Sequence, residues 1–216
     1  VCAAMEAGCD VVTEKPLTID AMRLQRILET RRRTGRSCVV TFNYRYAPAR
    51  QQVKELLAAG AIGEVRAVAF QWLLDTRHGA DYFRRWHRRK EASGGLLVHK
   101  STHHFDLVNW WLGDVPERVF AAGSRRHYVP ARAAALGLAE RGERCLGCAA
   151  ARRCPFHLDV SRGYLRALYT DHESHDGYFR DRCVFSPEID VEDSASVTVR
   201  YRRGAHLAYS LDAAAP

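Results

Sequence analysis

Two short apolar runs, "CDVVTEKP" and "SCVVTFNY", separated by one amphipathic helical stretch, constrain this chain more than any other feature. Each run is too short for a helix and is rich in β-branched residues, so each reads as a buried strand, the first ended by Pro16. Between them, Thr18 and Asp20 can cap a helix that continues to about Arg33. Met22, Leu24, Ile27 and Leu28 would face inward and Gly35 would close it. Residues 1–9 read as the end of an earlier helix stopped by Gly8. Helix, strand, helix and strand joined by short connections are what the end of a doubly wound parallel sheet looks like.

After "NYRYAP" the texture changes. Residues 48–59 read as a helix, "IGEVRAVAFQWLL" as a strand, and about Ser101–Leu112 as a Trp-rich helix. "PERVFAAG" reads as a strand, and "SASVTVRY" and "AHLAYSL" as an antiparallel pair around "RRG". The fold class expected is therefore α/β: the last part of a Rossmann-type parallel sheet over residues 1–42, then an α+β domain over 43–216. Between Ser124 and Asp193 lies an excursion rich in Arg, Cys and His with weak periodicity, a length that usually signals function or disorder.

The 216 residues suffice for one large domain or two small ones. The chain opens on Val1 inside a helical stretch, which reads as a fragment without its true N-terminus; no leader and no run of 18 apolar residues is visible. The formal net charge of +8 raises the question of a nucleic-acid or membrane partner. Only four of the 33 basic residues are lysines, however, and the basic residues are mostly scattered. With no nucleic-acid motif beside them, neither partner is expected. Seven cysteines, odd in number and not spaced as a disulfide framework, favour a reducing, cytoplasmic setting.

Three groups of residues carry chemistry. Lys15 ends the first strand, at the sheet edge where open α/β folds bind ligands, and could donate to a substrate oxygen or act as acid or base; a surface lysine is the alternative. "HKSTHH" then puts His99, Lys100, His103 and His104 within six positions. If the helix already includes residue 99, His99 and His103 share a face, with His104 and Lys100 on the next and Asp106 able to orient a ring. A metal at this pair would need a third ligand and a Glu base, which the segment lacks. Helix capping explains one histidine rather than three, so proton transfer is the stronger reading. The third group is "CLGCAAARRC" with Cys145, Cys148 and Cys154, followed by Cys183. These are four thiolates for a tetrahedral structural zinc, with His157 and His172 as spare ligands. An iron–sulfur centre, disulfides or free thiols are the alternatives. Cys2, Cys9 and Cys38 read as buried thiols.

"AGCDVVTEKPLTI", "FNYRYAP" and "GGLLVHKSTHHFDLVNWWLG", in that order, resemble the glucose–fructose oxidoreductase / inositol dehydrogenase / MocA family of nicotinamide-dependent oxidoreductases. The resemblance implies a Rossmann domain for NAD or NADP and a second domain with an open, mainly antiparallel sheet through which copies assemble. Carried over, Lys15 matches the lysine that contacts the reacting hydroxyl and His103 the histidine that relays its proton. Glu14, Lys15, Pro16 and Asn43 match residues lining the nicotinamide end, and Arg45 falls in a matching motif without an assigned role. His99 stands where the common pattern has Asp, and together His99 and His103 would face the substrate while His104 and Lys100 face elsewhere or rim the pocket. The family's Gly-rich dinucleotide fingerprint has no match in the chain. The activity implied is oxidation or reduction of a secondary hydroxyl on a sugar, cyclitol or related polyol. NAD-assisted glycoside hydrolysis and a non-catalytic binding module on the same fold are the alternatives.

Overall fold

The computed structural model describes residues 1–216. Its first elements are helix α1 (Cys2–Glu6), strand β1 (Val11–Glu14), helix α2 (Ala21–Thr34), strand β2 (Cys38–Thr41) and helix α3 (Pro48–Ala58). Strand β3 (Ala67–Asp75) follows, then helices α4 (Thr76–Arg84), α5 (Lys90–Ser93), α6 (Leu96–His99) and α7 (Thr102–Leu112). Strand β4 (Pro116–Ser124) leads into helices α8 (Pro130–Ala135), α9 (Gly163–Leu168) and α10 (Glu173–Asp176), and the chain ends with strands β5 (Ser194–Tyr201) and β6 (His206–Ala215). Strands β1 and β2 pair in parallel, Val11 opposite Cys38 and Glu14 opposite Thr41. The other four form an open, mixed sheet in the order β3-β6-β5-β4.

Contacts divide the chain into two compact units. One comprises Val1–Ala69, Leu97–Phe120 and Val197–Ala208, and the other Phe70–Leu96, Ala121–Ser196 and Tyr209–Pro216. In the first unit Asp20 caps α2 by accepting from the Arg23 amide at 2.7 Å, and Gly35 closes it in the left-handed region. The inward set expected on α2 is only partly so: Ile27 is buried, whereas Met22, Leu24 and Leu28 are exposed. A two-stranded sheet offers the helix little apolar surface to cover, and Val12 and Val39 of the strands are exposed as well. The firmest packing in this unit lies around α7 and β5, where Leu107, Val108, Val197, Val199 and Tyr201 are buried. The Tyr201 hydroxyl donates to Asn109 Oδ1 at 2.8 Å, so the one polar atom of that buried ring is satisfied.

The second unit is built around aromatic rings. Phe83 of α4 stacks on Tyr128 at 4.0 Å, and Phe156 meets Tyr128 and Phe185 edge-on at 5.7 and 5.4 Å. The excursion expected between Ser124 and Asp193 is closed at that stem: the Asp193 amide donates to the Ser124 carbonyl at 3.0 Å. The buried Asp193 carboxylate accepts from the amides of Arg126, His127 and Tyr128 at 2.9, 2.6 and 3.0 Å. Helix α4 comes so close to β6 that a Cβ on Gly79 would lie 1.8 Å from the Ala213 carbonyl oxygen, so only glycine fits there.

Candidate functional site

The parallel pair β1/β2 ends with Glu14 beside Thr41, so the residues that follow each strand, Lys15 and Asn43, leave the same edge of the sheet. Asn43 opens a short 3₁₀ turn (Asn43–Tyr46) and is exposed. The Lys15–Pro16 peptide is cis. Lys15 is half-buried, and its ammonium donates to the His99 carbonyl oxygen at 2.6 Å. Burial, then the charge of Lys100, pushes its pKa below the ordinary lysine value, while Glu14 holds it up.

His103 enters from the first turn of α7. Its buried ring lies flat on Tyr44, centroids 4.1 Å apart, with Phe42 edge-on at 6.3 Å. Burial first, then Lys15 and Lys100, brings its pKa down to about 4, while Asp106 pulls the other way. The imidazole is therefore neutral near pH 7, and its Nδ1 has no hydrogen-bond partner. His104 is deeper still, and burial, then Lys100 and His103, depresses its pKa to about 3. It belongs to the wall rather than the rim.

Two expectations require correction. His99 and His103 do not share a helix face, because α6 ends at His99 and α7 starts at Thr102. The break turns the His99 carbonyl to Lys15, a backbone role that spacing of side chains does not reveal. Asp106 does not orient a histidine; its buried carboxylate is held by a bidentate pair with Arg45, whose Nε donates to Oδ2 at 2.7 Å and whose Nη2 donates to Oδ1. That pair also gives Arg45 its place, between the Phe42 and Trp110 rings at 5.7 and 5.9 Å. Tyr44 was missed altogether: it carries His103 on one contact and the Arg50 guanidinium, 4.0 Å from the ring centroid, on another. The Tyr-Arg-Tyr run in "NYRYAP" is the only signal in the sequence that could have pointed to it.

The cysteines of the second unit come together as a group. Cys145, Cys148, Cys154 and Cys183 all line one small cavity of about 20 Å³. No three His, Cys, Asp or Glu side chains converge there or elsewhere closely enough to chelate a single ion as they stand, so the tetrahedral zinc cage expected from the spacing is not preformed. His157 lines the same cavity and His172 does not. All seven cysteines are free thiols; Cys2 and Cys38 are partly covered and Cys9 is exposed rather than buried.

No helix is long and apolar enough to cross a membrane. Residues 54–216 match the model for the oxidoreductase family's C-terminal alpha/beta domain, GFO_IDH_MocA_C. The chain is 40% identical to YteT of Bacillus subtilis (strain 168), a protein with an oxidoreductase name, over 99% of the chain and 52% of YteT. It is 30% identical to an inositol 2-dehydrogenase of Rhizobium meliloti (strain 1021) over 55% of the chain and 34% of that protein. It thus spans about half the length of YteT and a smaller share of the dehydrogenase. Among solved structures, the aldose-aldose oxidoreductase from Caulobacter crescentus complexed with glycerol shares the fold, with a TM-score of 0.62 at 15% identity over 99% of this chain and 46% of that one. The chain belongs to the Gfo/Idh/MocA oxidoreductase family and carries that family's C-terminal alpha/beta domain.

Proposed function

We propose that the protein containing this chain is an NAD(P)-dependent oxidoreductase of a secondary hydroxyl on a sugar, cyclitol or related polyol. The observation that carries this reading is that Lys15, at the carboxyl edge of a parallel sheet, lies near enough to help depress the pKa of a buried His103 whose Nδ1 has no hydrogen-bond partner. An alcohol loses a hydride and a proton together, and the proton needs a nearby acceptor while the developing alkoxide needs a cation. His103 supplies the acceptor, held in one orientation by the Tyr44 ring. Lys15 supplies the cation, its ammonium anchored by the His99 carbonyl. The names of the inositol 2-dehydrogenase and aldose-aldose oxidoreductase relatives support the substrate class.

A dinucleotide's nicotinamide end would lie beside Glu14, which ends β1, and Lys15, Pro16 and Asn43, which follow the paired strands. When bound, the dinucleotide supplies the hydride acceptor or donor. Residues 1–42 then form an edge of the cofactor domain and residues 43–216 a substrate and assembly domain. The uncovered side chains of β4, Val119 and Phe120 among them, suit contact between copies of the chain. A cytoplasmic site suits the reduced thiols.

Assaying the full-length protein with NAD⁺ and NADP⁺ against a panel of cyclitols and aldoses tests the reading. Reduced dinucleotide formed in proportion to a keto product is the expected result. Cleavage of glycosides without net reduction would instead favour the hydrolytic alternative, and no turnover with any polyol or glycoside would favour a binding module.

A further inference from the structure

We propose that Cys145, Cys148, Cys154 and Cys183 ligate one thiophilic metal centre, which ties the two halves of the Ser124–Asp193 excursion together. The four residues come from three places in the chain, yet they line one cavity with Leu138, Phe156 and Phe185. The fold goes out of its way to join them. The Cys145 amide donates to the Asp181 carbonyl and the Cys183 amide to the Glu143 carbonyl, both at 2.8 Å, around an antiparallel bridge between Arg144 and Arg182. Between Cys145 and Cys148 the chain folds back on itself. The Cys148 amide donates to the Cys145 carbonyl at 3.1 Å, and Gly147 takes φ +73°, which side-chain-bearing residues rarely adopt.

Donors point at the sulfurs. The Leu158 amide reaches Cys145 Sγ at 3.4 Å, the Gly142 amide reaches Cys148 Sγ at 3.3 Å, and Arg84 Nη1 reaches Cys145 Sγ at 3.7 Å. A neutral thiol is a weak acceptor and needs no such company, whereas a metal-bound thiolate gains from every N–H aimed at it. Four thiolates around a divalent ion carry a net charge of −2; Arg84, which reaches Cys145 Sγ, and Arg141, which lines the cavity, bring positive charge beside it. Soft sulfur ligands in an apolar wall select zinc or iron over hard oxygen-seeking ions. Each thiol gives its proton to solvent on ligation, so one divalent ion is taken up for up to about four protons released, with no change of oxidation state. Because no three side chains yet converge on a point, the sulfurs must draw in around the ion as it binds.

The test is elemental analysis of the full-length protein, purified anaerobically under reducing conditions without chelator. About one zinc or iron ion per chain without acid-labile sulfide is the expected result, and iron with matching sulfide would overturn the single-ion centre. Cys154→Ser should lower that content by at least about fivefold, while Cys9→Ser, outside the cavity, leaves it unchanged. A variant that fails to fold does not block the test. Metal-free wild-type protein titrated with cobalt(II) should show the intense sulfur-to-cobalt charge-transfer bands of a thiolate site. Absence of zinc and iron, together with no such bands and four freely titrating thiols, would overturn the proposal.

Discussion

The chemistry proposed for this protein depends on one imidazole staying neutral. His103 does so because its ring is buried against Tyr44 and faces two ammonium groups, Lys15 and Lys100. The acid limb of kcat/KM in the full-length enzyme should therefore lie well below histidine's ordinary pKa, near the value of about 4 that burial and charge impose. Lys100→Met removes one of the two ammonium groups and should move that limb upward, a shift read from the pH profile. His104 sets a stability effect of the same origin. Its folded value of about 3 lies below the ordinary 6.5, so the unfolded chain binds more protons in between. Stability should be full above pH 6.5 and fall as pH drops toward 3. His104→Gln should make the urea midpoint of the full-length protein less steep over that window. At this scale the sequence showed which residue types matter but not what they touch. Lys15 and His103 stand out by motif, whereas the bond from Lys15 to a backbone carbonyl and the pairing of Asp106 with Arg45 depend on where the chain turns.

Elements were legible where hydrophobic periodicity was strong. β1, α2, β2, α3, β3, α7 and the last three strands fall close to the runs that suggest them, since a buried face imposes a period of two or 3.6. Two kinds of feature were not. The inward face of α2 was overestimated, because periodicity shows that a helix is amphipathic and not how much surface exists to cover it. Helix α4 escaped notice because most of its nine residues are polar, and the short helices α8, α9 and α10 because four to six residues are too few to show a period. Their segment is organised by polar clasps instead, above all Asp193 and the Arg144 pairs with Glu173 and Asp181. Asp193→Ala strands three amides and should cost about 2–4 kcal/mol of unfolding free energy, measured by chemical denaturation. Gly79→Ala forces α4 away from the Ala213 carbonyl and should cost about 1–3 kcal/mol or more. A Gly79→Ala protein as stable as the wild type would show that α4 does not pack this closely.

For the whole molecule, the 216 residues hold the proposed proton acceptor His103 and the proposed cation Lys15 but no Gly-x-Gly-x-x-Gly turn. A dinucleotide is held mainly by that turn and the helix N-terminus behind it, and a few contacts at the nicotinamide end do not offset the cost of association. The 216-residue chain alone should therefore bind NAD(H) or NADP(H) no more tightly than about millimolar, roughly −4 kcal/mol, in titration calorimetry. Micromolar binding would show that the chain holds the dinucleotide by other means. The most direct test of the central assignment is steady-state polyol oxidation by the full-length protein, comparing wild type with His103→Ala and Lys15→Ala at matched thermal stability. A fall in kcat of at least about 100-fold is expected in each variant, the usual cost of losing a positioned proton acceptor or the charge that stabilises the alkoxide. Wild-type kcat in either folded variant would contradict it.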